Sequence, residues 1–179
     1  MILGKKQVED IDYNETFAST TKMVTVRTFL VVAATKGWEL HQMYVHNAFL
    51  HGELDEEVYM QMSSGFASPT PSKVCRLRKS LYGLRQAPRC LFAKLATALT
   101  SYGFKQSYSD CLLFTYETQH IQLNILVYVD DLIISRNDGT TVQQFKDYLS
   151  RCFHMKDLGK LKYFLGIEFV RNSDGIFLC

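Results

Sequence analysis

The chain lacks several features that would place it in a special class of protein. No apolar run approaches the roughly 20 residues that a membrane-spanning helix needs, and no apolar stretch near the N-terminus indicates a signal peptide. The five cysteines form no Cys-X-X-Cys pair, so we predict neither a zinc site nor a disulfide framework, only reduced thiols in a cytosolic setting. The net charge of +2 is too small to indicate a nucleic-acid-binding protein by itself.

What is present is the composition of a globular domain. At 179 residues the chain is one domain or part of one, and its 47% hydrophobic content with scattered charge predicts a packed core. Helical spacing of apolar residues predicts helices over 20–36, from Pro88 to Gly103, and from 138 or 140 through Phe153. Shorter apolar runs predict strands at 38–45, 58–61, 74–77, 111–117, 121–129, 132–135, 161–170 and 176–178. The expected architecture is α+β, with helices on one face of an antiparallel sheet.

The most informative motif is Tyr-Val-Asp-Asp at residues 128–131, between apolar runs at 123–127 and 132–134. This pattern predicts a strand, an acidic tip and a second strand. Tight hairpin tips favour a glycine-containing pair, and two adjacent carboxylates repel each other. A divalent cation explains the pair Asp130 and Asp131, because Mg²⁺ prefers carboxylate oxygens and substrate phosphates. The alternative is an ordinary solvated turn.

A second feature is a basic segment between residues 73 and 94, which holds seven basic residues and no acidic ones. Tyr82 and Phe92 are interleaved with the charges. Such a segment suits a phosphate backbone, with aromatic rings available to bases. The alternative is a solvated basic helix face. The basic residues are Lys73, Arg76, Arg78, Lys79, Arg85, Arg89 and Lys94.

Taken together, the motifs resemble the reverse transcriptase domain of Ty1/copia-type LTR retrotransposons, over nearly the whole chain. Besides the 128–131 motif, the matching segments are Tyr-Asn-Glu-Thr-Phe-Ala at 13–18, Gly-Trp-Glu-Leu-His-Gln-Met at 37–43, Asn-Ala-Phe-Leu-His-Gly-Glu-Leu at 47–54, Glu-Val-Tyr-Met at 57–60, Ser-Leu-Tyr-Gly-Leu-Arg-Gln-Ala-Pro-Arg at 80–89 and Tyr-Phe-Leu-Gly-Ile-Glu at 163–168. The resemblance implies a partial domain over 1–179, with fingers-related residues at about 1–37 and 53–89 and the remainder largely polymerase palm. We expect thumb and RNase H segments to be absent.

The resemblance also implies an activity. Such domains are RNA-directed DNA polymerases, in which a primer 3′-hydroxyl attacks the α-phosphate of a deoxynucleoside triphosphate. Asp130 and Asp131 would be catalytic ligands of two Mg²⁺ ions. The implied partners are an RNA or DNA template-primer, the nucleotide and the rest of the Pol polyprotein, including integrase and RNase H. The implied setting is a cytoplasmic virus-like particle, with no membrane partner.

Further residues take implied roles by their positions in these motifs. Nucleotide binding falls to Arg27 as a triphosphate contact, to Phe49 under the sugar, and to Tyr82, Gly83 and Arg85 along the nucleotide and template site. Nucleic-acid binding falls to Lys73, Arg76, Arg78, Lys79 and Arg89, and to Tyr163 and Gly166 in a primer-grip hairpin. Each has a structural alternative: an exposed helix arginine, a core aromatic, a simple turn, a solvated basic face or a plain edge hairpin.

One departure from the family pattern bears directly on activity. The family has an aspartate after Gln-Met, as the third carboxylate of the metal site, but here Tyr44 follows Met43. A phenol is neutral at pH 7 and is a poor Mg²⁺ ligand. Position 44 lies 86 residues before Asp130, and the acids at 53 and 55–57 are expected to point to solvent. We therefore predict an incomplete metal site, with a non-catalytic remnant that at most binds nucleic acid as the alternative to an active enzyme.

Overall fold

The computed structural model describes residues 4–16, 18, 21–62, 73–137, 139–172 and 175–178. Within those ranges the α-helices are α1 (Met23–Thr35), α2 (Ala87–Tyr102) and α3 (Gly139–Cys152). The strands are β1 (Glu39–Val45), β2 (Glu53–Gln61), β3 (Val74–Lys79), β4 (Lys105–Gln106), β5 (Leu113–Glu117), β6 (Gln122–Tyr128), β7 (Asp131–Arg136), β8 (Met155–Lys160), β9 (Tyr163–Phe164), β10 (Ile167–Asn172) and β11 (Gly175–Leu178).

The chain divides into two compact units. The hairpin unit comprises residues 1–18 and 47–95, and the sheet unit comprises 19–46 and 96–179. Helix α1 belongs to the sheet unit, and α2 begins in the hairpin unit and ends in the sheet unit. The assignment of segments to fingers and palm stays a prediction.

The sheet unit is built on a six-stranded sheet in the order β4-β5-β6-β7-β1-β8. Every neighbouring pair in it is antiparallel. The central strands β6 and β7 are buried along almost their whole length, instead of alternating between buried and exposed positions. Strands of that kind need apolar cover on both faces of the sheet.

Helix α1 supplies the cover on one face. Its apolar stripe shares a core with Leu126 of β6 and Ile133 of β7, together with Phe164 and Phe169 from the hairpin of β9 and β10. Gly37 ends the helix with φ +65°, a backbone conformation that glycine adopts without strain. The stripe consists of Val26, Phe29, Leu30 and Ala33.

The opposite face is covered by α3 and the last turns of α2. The ring of Phe145 in α3 lies 5.0 Å from the rings of both Tyr102 and Phe104. Those two rings lie 5.8 and 5.5 Å from Tyr116 of β5. Tyr116 and Leu113 point to opposite faces of the sheet. Leu113 packs against the core that includes α1, so Tyr116 lies on the other face. The α+β class is confirmed, but the expectation of helices on a single face is wrong, because both faces of the central strands are apolar.

The hairpin unit is smaller and is organised around β2 and β3, which pair antiparallel. Its core holds Val58 from β2, Leu84 from the segment before α2, and Ala87 at the start of α2. Partly buried residues pack around that centre: Phe49, Leu54, Leu77 and Leu81. Gly52 lies close to Cys90 and Ser80. A Cβ at position 52 would come within 2.7 Å of the Cys90 Cβ, so only glycine fits at this close approach.

Most predicted elements are present, with four main differences. β4, a strand of two residues, was not predicted. β8 was not predicted either, because Met-Lys-Asp-Leu-Gly-Lys shows no apolar alternation. The predicted strand over 161–170 is interrupted by a turn at Leu165 and Gly166, both with positive φ. β2 begins five residues earlier than expected, at Glu53. The predicted loop at 63–72 lies outside the described residues.

Candidate active site

The Asp-Asp motif forms the tip of the β6–β7 hairpin in the sheet unit. Tyr128 pairs with Asp131, which leaves Val129 and Asp130 as a two-residue loop. Val129 has φ +53°, a conformation that a β-branched residue rarely adopts. The tip is also tied to β1, because the Val45 amide donates to the Asp130 carbonyl at 2.8 Å.

The register of β1 and β7 brings position 44 to this tip. Tyr44 and Asp131 are direct partners across the antiparallel pair. Opposite residues in such a pair have Cβ atoms about 5 Å apart, so a side chain at position 44 lies beside the Asp131 carboxylate. The fold therefore brings position 44 next to the Asp-Asp tip, although positions 44 and 130 are 86 positions apart in the sequence.

Gln42 lies two residues before Tyr44, on the same face of β1. Its side-chain amide donates to the Asp131 carboxylate, with Nε2 and Oδ1 3.0 Å apart. Burial raises the pKa of the Asp131 carboxyl, and the neighbouring charge of Asp130 raises it further, while the hydrogen bond from Gln42 opposes both effects. Gln42 was not among the predicted site residues, although the strand alternation from position 44 indicates it.

The donor set at this tip consists of two adjacent carboxylates, Asp130 and Asp131. The residue opposite Asp131 is Tyr44, which carries a phenol. In the part of the chain that the structure describes, no group of three His, Cys, Asp or Glu side chains is placed to hold a metal ion. Carboxylates are the side chains that hard divalent cations favour, so Asp130 and Asp131 could contribute oxygen ligands to such an ion, whereas a neutral phenol is a poor ligand for it.

A second hairpin of the sheet unit packs against the base of this tip. The ring of Phe164 in β9 meets the ring of Tyr128 edge to face, with centroids 5.7 Å apart. Gly166 lies in the turn of that hairpin with φ +82°, and Tyr163 is 61% exposed. The fold therefore brings the 163–168 hairpin, predicted as a primer grip, into contact with the strand that carries the Asp-Asp motif.

Several predicted nucleotide-binding residues meet in the hairpin unit. The rings of Phe49 and Tyr82 are 4.7 Å apart in an edge-to-face arrangement. Gly83 follows with φ +97°. The Arg85 guanidinium donates to the Gly4 carbonyl and to the Tyr13 hydroxyl, each at 3.0 Å. Arg85 therefore anchors the N-terminal segment in this structure.

Arg27 is the exception, because it belongs to the sheet unit. It is exposed on α1, away from the stripe that packs on the sheet.

The basic segment is partly neutralised by acids of the same unit. Arg76 pairs with Glu57 at 2.8 Å, and Lys94 pairs with Glu53 at 2.7 Å and lowers the pKa of that carboxyl. Lys73, Arg78 and Lys79 are exposed.

Arg89 is also paired, with Glu56 at 2.7 Å, and donates to the Glu15 carbonyl at 3.0 Å. The expectation that Glu56 points to solvent is wrong. Its side chain is only 9% exposed, because β2 turns this position inward and Arg89 compensates its charge.

Comparison with known proteins agrees with the family that the sequence motifs predict. The whole chain, residues 1–179, matches the family described as reverse transcriptase (RNA-dependent DNA polymerase). The chain belongs to this reverse transcriptase family. Similar proteins include the retrovirus-related Pol polyproteins from transposons RE2 and RE1 of Arabidopsis thaliana, each 43% identical over 98% of this chain and 12% of the relative. Another is the corresponding polyprotein from transposon TNT 1-94 of Nicotiana tabacum, 39% identical over 96% of this chain and 13% of the relative.

These relatives identify the chain as the reverse transcriptase domain of copia-type Pol polyproteins, as the motifs predicted. The domain spans about an eighth of the length of the curated relatives it matches. Dependence on a divalent metal is general in this family. Among the described residues, no helix is long and apolar enough to cross a membrane.

Proposed function

We propose that this reverse transcriptase domain has a polymerase site that Tyr44 has disabled. The observation that carries the proposal is the β1–β7 register, in which Tyr44 is the direct partner of Asp131. The family uses an aspartate at this position, and a neutral phenol cannot supply the negative charge that a divalent cation needs. The larger side chain also fills space beside the Asp131 carboxylate.

The finer assignments rest on the same family membership. The metal we expect at this site in an intact copy is Mg²⁺, with Asp130 and Asp131 as the carboxylates that would hold it. Nucleotide contacts fall to Arg27, Phe49, Tyr82, Gly83 and Arg85. Primer and template contacts fall to Tyr163 and Gly166 and to the exposed basic residues of the 73–94 segment. Residues at about 1–37 and 53–89 are fingers-related, and the remainder is largely palm.

A second candidate function is nucleic-acid binding without catalysis. Its support is that Lys73, Arg78 and Lys79 are exposed on or beside β3 and can approach phosphates whether or not a metal binds at Asp131. In that case the domain is a retrotransposon remnant that keeps the fold and loses the chemistry.

The deciding experiment is primer extension on an RNA template in the presence of Mg²⁺, with the natural chain and with Tyr44→Asp. We expect no extension by the natural chain. We expect extension by Tyr44→Asp, with a gain on the order of 100-fold over background, the size that a single charge-stabilising group contributes in an active site.

Tyr44→Asn is the matched control, because it removes the phenol and has the size of aspartate without its charge. Extension by Tyr44→Asp alone assigns the defect to the missing carboxylate. Equal extension by Tyr44→Asn would assign it to the bulk of tyrosine. Extension by the natural chain overturns the proposal, and silence in all three chains with retained binding of the primer-template supports the second function.

A further inference from the structure

A groove runs along α1 in the sheet unit, apart from the Asp-Asp tip. Its volume is about 330 Å³, within the range of small-molecule sites. One wall is a flank of α1 with Thr25, Thr28 and Val32, and the floor includes Leu113, Asn124 and Ser135 of the sheet. Ser135 lies four residues along β7 from Asp131, or about 13 Å at the rise of a strand.

The floor carries a buried polar pair in an otherwise apolar sheet. Asn124 is 8% exposed and Ser135 is 1% exposed, and they are direct partners in the β6–β7 register. The Asn124 amide donates to the Ser135 hydroxyl, with Nδ2 and Oγ 3.3 Å apart. Among the described residues, the second amide hydrogen and the carbonyl oxygen of Asn124 make no further hydrogen bond. Asn124 lines the groove, so a ligand seated there can reach this amide hydrogen and this carbonyl oxygen.

The charges at the groove select for a neutral ligand. Lys36 lies over the Trp38 ring, with Nζ 4.6 Å from the ring centroid, and both residues line the groove. Asp110 supplies one negative charge and accepts hydrogen bonds from the amides of Lys22 and Leu112. One cation and one anion leave no net charge among the lining residues.

We propose that this groove binds a small, neutral, planar molecule with a lactam or primary amide edge. The planar body lies between the α1 flank and the sheet, and the edge pairs with the free donor and acceptor of Asn124. A side-chain amide presents one donor and one acceptor side by side, which matches the N–H and C=O of a lactam. The site is independent of the polymerase site at Asp131.

The probe is 2-quinolone, a planar bicyclic lactam, and its matched control is N-methyl-2-quinolone. The control keeps the shape and the carbonyl but lacks the donor. Titration of the natural chain is followed by ¹H–¹⁵N NMR at the Asn124 side-chain amide. We expect saturable shifts with 2-quinolone and binding at least about 10-fold weaker for the methylated probe, since a lost hydrogen bond to a buried group is worth roughly that factor. No saturable binding of 2-quinolone below about 1 mM overturns the proposal.

Two variants locate the site. Thr28→Trp places an indole in the groove from an exposed position, and we expect it to weaken 2-quinolone binding at least about 10-fold. Val31→Trp is the matched control, because Val31 is 61% exposed on the same helix and lines no part of the groove. Neither position belongs to the core, so both variants are expected to fold. Equal binding by Thr28→Trp and the natural chain, or equal binding of the two probes, would refute the assignment.

Discussion

At the scale of single residues, the tip of the Asp-Asp hairpin is held in an unfavourable conformation. Val129 has φ +53° and is 43% exposed, so its side chain gains little from burial in return. A non-glycine residue in the left-handed region is destabilised by roughly 1–2 kcal/mol, and asparagine tolerates that region better than valine. Strain of this kind is often concentrated at functional loops.

We therefore predict that Val129→Asn stabilises the domain by about 1 kcal/mol. The measurement is urea unfolding followed by circular dichroism. Val170→Asn is the matched control, because Val170 is 47% exposed within the regular strand β10, where valine is favoured over asparagine. The control should be destabilised. A loss of stability in Val129→Asn as large as in the control would show that the tip is unstrained.

Some residues of the candidate site can be recognised from the sequence, and others cannot. The Asp-Asp pair and the substitution at Tyr44 are visible in the sequence, because both are departures from what a hairpin or a family motif leads one to expect. The hydrogen bond from Gln42 to Asp131 is not visible, since it depends on the register between β1 and β7. A shift of one residue in that register would turn Gln42 and Tyr44 away from the carboxylate.

At the scale of elements, three strands of the sheet are joined by ion pairs at the end away from the tip. Glu39 of β1 accepts hydrogen bonds from Arg136 of β7 and, at 2.9 Å, from Lys160 of β8. The hydrogen bonds from Lys160 and Arg136 lower the pKa of Glu39 from 4.5 to about 2. The Glu39 side chain is 38% exposed, so solvent screening reduces the net contribution to stability.

The pKa of Glu39 sets a pH window for its contribution. Because the folded pKa lies below the unfolded value, the charged form stabilises the fold above about pH 4.5, and that stability is lost as the pH falls toward 2. We predict that Glu39→Gln lowers the unfolding midpoint in urea at pH 6, by an amount that shrinks steadily between pH 4.5 and pH 2. A midpoint difference that stays constant over that range would contradict the ion-pair account.

Elements with a strong local signal were predicted well, and edge elements were not. The three helices and the central strands β6 and β7 follow apolar patterns that are long and clear. β8 is an edge strand whose pairing with β1 contains a bulge between Gln42 and Met43, and its lysines and glycine are typical of protected sheet edges. Its strand conformation is set by the neighbour it pairs with, so the local sequence gives little indication of it.

At the scale of the whole molecule, charge is more evenly distributed than the sequence suggests. The 73–94 segment contains only basic charges, yet Arg76, Arg89 and Lys94 are each paired with a glutamate of β2. Arg78 is exposed and has no ion pair within the described residues. Cations without such a pair meet no competition from a carboxylate, so they are the best placed to replace counterions on a nucleic acid.

This distribution predicts a difference in salt dependence. If the domain binds duplex nucleic acid through this segment, Arg78→Ala should reduce the slope of log K against log salt by about 0.9, the value for one phosphate contact. Lys94→Ala is the matched control and should leave the slope unchanged, because Lys94 already pairs with Glu53. Fluorescence anisotropy of a labelled RNA–DNA duplex at several salt concentrations measures both. Equal slopes for Arg78→Ala and the natural chain would exclude Arg78 as a phosphate contact.

The sequence by itself determined the family, the α+β class and the acidic hairpin, and it predicts the loss of the third carboxylate. Those properties are local, because each is encoded by residues that are adjacent or regularly spaced. The tertiary structure decided that Tyr44 lies opposite Asp131, that helices cover both faces of the sheet, that Glu56 is buried against Arg89, and that a groove with a buried amide lies along α1. These properties depend on strand register and on packing between distant segments, and many registers and packings are compatible with the same local pattern.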